Sequence, residues 1–189
     1  MRSALLVALL AACSGGAGGP GGARDGDAYS PPWASQLFYR QLFVSSLDDM
    51  DAALDTGADA GTIHYAWTEE GDSGTRWWVS DADDRAGTPY LDLTFSGKGV
   101  QLVAAPDALG TPVVLLDSSF KDGDTVTTAG LTAQVTFIES LTTWYGTFND
   151  VVQVDLSGGT PSGQLRFAEG IGVIQFSIGE TAGDMAWYQ

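Results

Sequence analysis

Hydrophobic and polar residues alternate along most of the chain after residue 62, which is the pattern of β-strands that turn one face towards a core. In the segment VQVDL, residues 152–156, aliphatic residues occupy every second position and polar residues lie between them. This period of two predicts a sheet with one buried face and one solvated face. The predicted strands are 62–68, 75–81, 90–96, 99–105, 112–117 and 124–128, followed by at least four more within 135–178.

Short sequences rich in glycine, aspartate and proline separate these strands. They predict that consecutive strands pair through tight turns, as in an antiparallel meander. Gly146, Gly170 and Gly172 lie at two of the turns, and the last two are candidates for positive φ or for a β-bulge. The spacing of the strands favours a mainly β fold, built as a curved sheet, an open barrel or a sandwich.

The N-terminal part of the predicted single domain, 29–189, has a less regular pattern. Residues 33–44 fit both a helical stripe and a strand alternation, so the sequence leaves the two open. Ser46 and Asp49 form a helix-capping pattern, and hydrophobic residues at helical spacing follow it, which predicts a short helix over 47–55. The expected fold therefore includes one or two short N-terminal helices. The apolar C-terminus predicts a last strand or flap that packs on the domain.

The first residues have the pattern of an export signal. A basic residue precedes an apolar run over 4–12, which is too brief to cross a bilayer as a helix. The sequence Leu-Ala-Ala-Cys at 10–13 resembles the lipobox of bacterial lipoproteins. The resemblance implies that 1–12 is a signal peptide and that Cys13 receives lipid and becomes the first residue after cleavage. Ser14 after the cysteine implies transport onward to the outer membrane.

Residues 13–28 are predicted to form a tether between the lipid and the domain. The part after Cys13 contains seven glycines and no aromatic residue before Tyr29, so it cannot bury enough surface to become ordered. Cys13 is the only cysteine, and its lipidation leaves no thiol for a disulfide. The domain must therefore be stable through its core alone.

The net charge of the chain disfavours some classes of binding partner. The formal net charge of −16 makes nucleic acid and anionic membrane surfaces poor partners. The acidic residues are scattered over several segments, which favours a solvated surface. A calcium site is the alternative, but no stretch has the spacing of the EF-hand loop. With one histidine and no free thiol after lipidation, the sequence predicts no metal and no cofactor.

The chain lacks the motifs of the common enzyme classes. No G-x-S-x-G elbow accompanies the single histidine, and the P-loop spacing is absent. Two of the 24 acidic residues could still meet at the separation that a glycosidase needs. A hydrolase that acts on envelope glycans through two carboxylates therefore stays open as the alternative. The sequence favours a protein without catalytic activity, but it singles out no catalytic residue either way.

Six tryptophans are the unusual feature of the composition. Trp77 and Trp78 are neighbours on a predicted strand, so their side chains point to opposite faces of the sheet. Either the sheet is covered on both faces at this point, or one of the two lines a groove and contacts a ligand or partner. Both residues are therefore candidates for a contact site.

The C-terminal half carries a second resemblance. The segments WYGTFNDV, residues 144–151, and LRFAEGIGVI, residues 165–174, resemble a Gly-Thr-Phe and Ala-x-Gly-Val-Gly pattern in uncharacterised families of bacterial lipoproteins and secreted β-domains. The resemblance implies no activity, because those families have no agreed one. The function that the sequence favours is a lipid-anchored envelope domain whose partner is another envelope protein or an apolar ligand held in the mouth of a curved sheet.

Overall fold

The computed structural model describes residues 22–31, 36–41, 63–80, 89–105, 111–179 and 181–188, which form β-strands and one short 3-10 helix. The helix spans Gly26–Tyr29. The strands are β1 (Arg24–Asp25), β2 (Gln36–Gln41), β3 (Ile63–Gly71), β4 (Gly74–Ser80), β5 (Pro89–Ser96), β6 (Gly99–Ala104), β7 (Val113–Asp117), β8 (Ser119–Phe120), β9 (Thr125–Thr128), β10 (Leu131–Thr142), β11 (Thr147–Ser157), β12 (Gly163–Ala168), β13 (Gly172–Ile178) and β14 (Thr181–Tyr188).

Twelve strands form one antiparallel sheet in the order β7-β6-β5-β4-β3-β2-β14-β13-β12-β11-β10-β9. Consecutive strands are neighbours throughout this order, except where β2 pairs with β14. The chain therefore enters the sheet in its middle, runs out to the β7 edge, crosses to the β9 edge and returns to the middle. β1 and β8 pair separately as a small two-stranded sheet on the path between the edges.

The sheet curls until its two edges approach each other. Cα atoms of β7 lie within 8 Å of Cα atoms in both β9 and β10. In the part of the chain that the structure describes, however, β7 and β9 are not hydrogen-bonded neighbours. The result is a strongly curved sheet that is not closed, and its two halves face each other.

Aromatic side chains fill the space between the two halves. Trp77 of β4 meets Phe176 of β13 edge to face, with ring centroids 6.1 Å apart. Phe95 of β5 meets Phe167 of β12 in the same way, at 6.2 Å. All four residues belong to one hydrophobic cluster. Because each contact joins strands that are distant in the sheet order, these rings stabilise the curvature as well as the core.

The prediction of a mainly β antiparallel fold is confirmed, and the predicted strands correspond closely to β3–β7 and β9–β13. Within 33–44 the strand alternative holds for Gln36–Gln41, because this segment completes a ladder between β3 and β14. The helical alternative is wrong for those six residues. The helix predicted over 47–55 lies outside the described residues. The predicted C-terminal strand is β14.

Among the described residues, no helix has the length and apolar character required to cross a membrane.

The N-terminal segment differs from its prediction as an unstructured tether. Within the predicted tether, 13–28, Arg24 and Asp25 pair with β8, and the 3-10 helix follows directly. The side chain of Asp25 accepts a hydrogen bond from the backbone N–H of Asp27 at 3.1 Å and so caps the helix. Ordered structure therefore begins before residue 29. The composition of the segment did not reveal this, because its order depends on contacts with distant strands.

Candidate functional site

The tryptophan pair lies on opposite faces of β4, as the sequence predicts, and both indoles are buried. Trp77 is 0% exposed and points into the core. Trp78 is 3% exposed and stacks on Trp67 of β3, with ring centroids 6.4 Å apart. We call the side of the sheet that carries Trp78 the outer face. The burial of both indoles fits the alternative in which the sheet is covered on both faces. A ligand or partner contact by Trp78 stays a prediction, and it would require the groups that bury this indole to move away.

Arg76 centres a charged cluster on the outer face beside Trp78. Its Nε lies 3.1 and 3.0 Å from the two carboxylate oxygens of Asp92, and its Nη2 donates to Oδ2 of Asp92 at 2.7 Å. Nη1 reaches Oε1 of Glu69 at 3.4 Å, and the guanidinium lies 4.6 Å from the ring centroid of Trp78. The hydrogen bond to Asp92 raises the pKa of Arg76 above its usual value. Since Asp92 is buried, this two-point contact holds β4 against β5.

The same cluster bears on the hydrolase alternative. Glu69 and Asp92 share Arg76, so they are two carboxylates brought together from different strands. Asp92 is buried and meets the guanidinium through two nitrogens, which is the geometry of a structural ion pair. The cluster is therefore built as an ion-pair network. Among the described residues, no group of three or more His, Cys, Asp and Glu residues could hold a metal ion. The acids at 48–51 and 81–84 lie outside the described residues.

A second arginine lies in a row of polar side chains across β11, β12 and β13. Arg166 is 3% exposed and Gln175 is 0% exposed. Arg166 donates from Nε to Oε1 of Gln153 at 2.8 Å and from Nη1 to Oε1 of Gln175 at 2.8 Å. Asp155 then accepts from Nε2 of Gln153 at 3.1 Å and from Nε2 of Gln164 at 2.6 Å. These bonds satisfy polar groups that would be costly to bury alone.

The backbone register extends this row towards the middle of the sheet. The Cα of Asp184 in β14 lies opposite Gln175, and it also lies opposite Arg40 of β2. The sequence analysis predicted a solvated face here, which is wrong for Arg166 and Gln175. The period of two shows which residues of a strand share a face, but it contains no information about what covers that face.

The β10–β11 hairpin ends in an ordered turn that contains Gly146. The backbone N–H of Thr143 donates to the carbonyl oxygen of Gly146 at 2.8 Å, and Oγ1 of Thr143 accepts from the N–H groups of Tyr145 and Gly146 at 3.2 and 3.3 Å. Tyr145 stacks on Phe148 across the turn, with centroids 6.2 Å apart. Trp144 at the tip is 52% exposed, the largest exposure among the described large hydrophobic residues. The sequence analysis did not single out this residue.

Arg24 attaches the N-terminal segment to the same hairpin. Its Nη1 donates to the hydroxyl of Tyr29 at 2.8 Å and to the backbone carbonyl of Asp150 at 2.7 Å, and its Nη2 lies 3.4 Å from Oδ1 of Asp150. The guanidinium also lies 3.9 Å from the ring centroid of Phe137. Burial raises the pKa of the Tyr29 hydroxyl, although the bond from Arg24 lowers it in part. The place where the N-terminal chain joins the domain is therefore defined by three residues of the hairpin and the helix.

The N-terminal segment then crosses one end of the curled sheet. An added Cβ at Gly26 would lie 3.0 Å from the Cα of Gly99, so the helix starts against β6. At its other end, the carbonyl of Ala28 accepts a hydrogen bond from the N–H of Gly170 at 2.7 Å, in the β12–β13 turn. Tyr29, the last residue of the helix, is 1% exposed, and its ring centroid lies 5.7 Å from that of Phe120. The segment thus covers the core at this end.

Gly170 and Gly172 have φ of 70° and 88°, in the region that favours glycine. Their surroundings differ. A Cβ added to Gly172 would lie 2.9 Å from the Cβ of Pro31, whereas one added to Gly170 would meet no atom within 4 Å. The two glycines are therefore equivalent in backbone conformation but not in the space available for a side chain.

Alanine at Gly172 is expected to lower the free energy of unfolding by more than alanine at Gly170. Both changes place a Cβ in a left-handed conformation, which costs about 1–2 kcal/mol. Only Gly172→Ala also pushes against Pro31, which adds about 1–3 kcal/mol of overpacking. Urea unfolding of both variants measures the difference. Equal losses in the two variants would show that the Pro31 contact is not close-packed.

No protein-family model, no curated protein and no solved structure matches this chain. The resemblances of residues 10–13, 144–151 and 165–174 to lipoprotein and β-domain patterns therefore stay predictions. Cys13 lies outside the described residues. The chemistry of the chain's own residues is therefore the basis for its proposed function.

Proposed function

We propose that this chain is a lipid-anchored protein of the bacterial cell envelope with a non-enzymatic binding or structural role. The observation that carries the proposal is the apolar run over 4–12 followed by Cys13, the only cysteine of the chain. Two or more acyl chains on such a cysteine make membrane attachment effectively permanent, whereas a single chain gives marginal binding. Ser14 after the cysteine supports the outer membrane as the destination.

The length of chain between Cys13 and the first strand suits such an anchor. Residues 14–23 are rich in glycine and precede Arg24, the first residue of β1. A flexible Gly-rich chain of about ten residues has a root-mean-square length of roughly 16–19 Å. This is shorter than the reach expected if the tether extended to residue 28. The folded domain would therefore be held close to the lipid surface.

The interior favours a protein partner over an apolar ligand. Trp77, Phe95, Phe167 and Phe176 fill the space between the two halves of the sheet with their own side chains. The N-terminal segment covers one end of that core with Tyr29. A ligand that entered through this end would have to displace a residue that is buried and bonded to Arg24. We therefore propose that the partner binds on the surface of the domain and is another envelope protein.

The alternative is a hydrolase that acts on envelope glycans through two carboxylates. Glu69 and Asp92 are one described pair of carboxylates that can be tested for this role, because both bond to one guanidinium. Arg76 bonds to both, which supports a structural role for the cluster.

Turnover of a glycan substrate by the parent, lost in Asp92→Asn but kept in Glu70→Gln, would favour the hydrolase. Glu70 is a fitting control because it is exposed on the same strand as Glu69.

Replacing Cys13 with serine is expected to abolish both lipid attachment and processing. Serine lacks the thiolate that forms the thioether with diacylglycerol, so a lipoprotein precursor would keep residues 1–12 and take up no labelled fatty acid. Metabolic labelling and the mass of the purified protein measure the two effects. Ser14→Ala is the matched control, and it should be labelled and cleaved like the parent. A parent protein without fatty-acid label would overturn the anchor.

A further inference from the structure

We propose that the tip of the β10–β11 hairpin is a second contact with the lipid surface to which Cys13 is attached, with the indole of Trp144 at the level of the headgroups. The proposal rests on the proposed lipid anchor. It adds an orientation, since a tether alone would leave the domain free to rotate above the membrane.

Trp144 has the chemistry of a residue at a membrane interface. It is 52% exposed at the end of a hairpin. Tryptophan is favoured at the boundary between hydrocarbon and water, because its ring is apolar while its N–H donates a hydrogen bond. The turn beneath it is held by four hydrogen bonds in which Thr143 takes part, and by the stacked rings of Tyr145 and Phe148. A preorganised turn reduces the entropy lost when the indole inserts.

The tether joins the domain beside this tip. Arg24 binds Asp150, which lies four residues after Gly146 in sequence. Four residues of a strand span about 13 Å. A flexible Gly-rich chain with the length of the segment between Cys13 and Arg24 would have a root-mean-square length of roughly 16–19 Å. With Cys13 at the surface of a bilayer, the hairpin tip can therefore reach the same surface without any stretching of the tether.

The hairpin also projects beyond the strand next to it. β11 pairs with β12 only over Val152–Leu156, whereas it continues to pair with β10 as far as Thr147. Thr147 to Asp150 thus extend about 13 Å past the end of this pairing. Acidic residues at the same end, such as Asp27 and Glu169, would be repelled by anionic lipid. Trp144 thus lies at the end of a hairpin that continues past the neighbouring strand, and a zwitterionic lipid, which would not repel these carboxylates, suits this end.

The test uses the mature, acylated full chain in vesicles of phosphatidylcholine whose acyl chains carry bromine, a short-range quencher of tryptophan fluorescence. The parent is expected to lose part of its emission relative to vesicles without bromine. Trp144→Phe should show clearly less quenching, because the inserted indole is gone. The matched control combines Trp144→Phe with Val103→Trp, which moves an indole to the other large hydrophobic residue that is exposed among those described, near the far end of β6. This variant should be quenched no more than Trp144→Phe.

Each outcome separates the orientation from the anchor. If the protein is acylated by mass and floats with the vesicles, but the parent and Trp144→Phe are quenched equally, the orientation is overturned and the anchor stands. Stronger quenching in the Val103→Trp variant than in Trp144→Phe also overturns it, because contact with lipid would then not be confined to one end. A protein that carries no acyl chain overturns both proposals.

Discussion

Replacing Trp77 with alanine is expected to lower the free energy of unfolding by about 3–5 kcal/mol, the range for removal of a buried aromatic ring. Trp77 is fully buried, and its ring meets Phe176 from the opposite half of the sheet. The cavity would open at the contact between β4 and β13, which are far apart in the sheet order. Urea denaturation followed by circular dichroism measures the loss.

Trp144→Ala is the matched control for this prediction. The chemical change is the same, but Trp144 is half exposed on a hairpin tip. We expect its effect to lie within about 0.5 kcal/mol of the parent, as for most surface substitutions. If Trp77→Ala is too unstable to purify, Trp77→Phe should lose less, because it keeps a ring against Phe176. Equal stability of the two alanine variants would contradict the proposed curvature of the sheet.

Replacing Arg166 with methionine is expected to lower the free energy of unfolding by about 2–5 kcal/mol. Methionine occupies similar space but leaves the Oε1 atoms of Gln153 and Gln175 without the donors that Arg166 supplies. A buried acceptor that loses its partner costs about 1–3 kcal/mol. The fully buried Gln175 would then lose the donor that Arg166 supplies to its Oε1. The same denaturation measurement gives the magnitude.

Lys121→Met is the control for the loss of a positive charge. Lys121 is exposed, and its hydrogen bond to Asp124 comes from the backbone N–H, which the substitution keeps. Its effect should therefore lie within about 0.5 kcal/mol of the parent. A variant Arg166→Met that is as stable as the parent, or more stable, would show that desolvation of the guanidinium outweighs its hydrogen bonds, as in some buried ionic networks.

The Gly172 and Cys13 variants test two different properties of the protein, which are the packing of the folded domain and its attachment to lipid. The first concerns a contact between the N-terminal segment and the β12–β13 turn, through Pro31. The second concerns chemistry on a residue outside the described structure. Together with the quenching experiment on Trp144, they separate the fold of the domain from its attachment and from its orientation. A failure of the Gly172 prediction leaves the anchor and the orientation open to test, whereas loss of the anchor overturns the orientation as well.

The sequence by itself determined most of the strands and the places where they turn. Alternation with a period of two depends on which side chains can lie against a core, and it is visible over five or six consecutive residues. Turns depend on local backbone conformation, so Gly170 and Gly172 could be recognised without knowing their surroundings. The opposite orientations of Trp77 and Trp78 follow from the same local geometry of a strand. The lipobox resemblance at Cys13 is also a local signal.

Only the tertiary structure decided what each face meets. The pairing of β2 with β14 brings together residues more than a hundred positions apart, and no local pattern encodes it. This long-range pairing, rather than propensity, makes Gln36–Gln41 a strand. Arg166 is buried on a face that the alternating pattern predicts to be solvated, and no local pattern encodes that burial either. The same holds for Arg24. Its glycine-rich surroundings predict no ordered structure, but its contacts with Asp150 and Phe137 hold it in place.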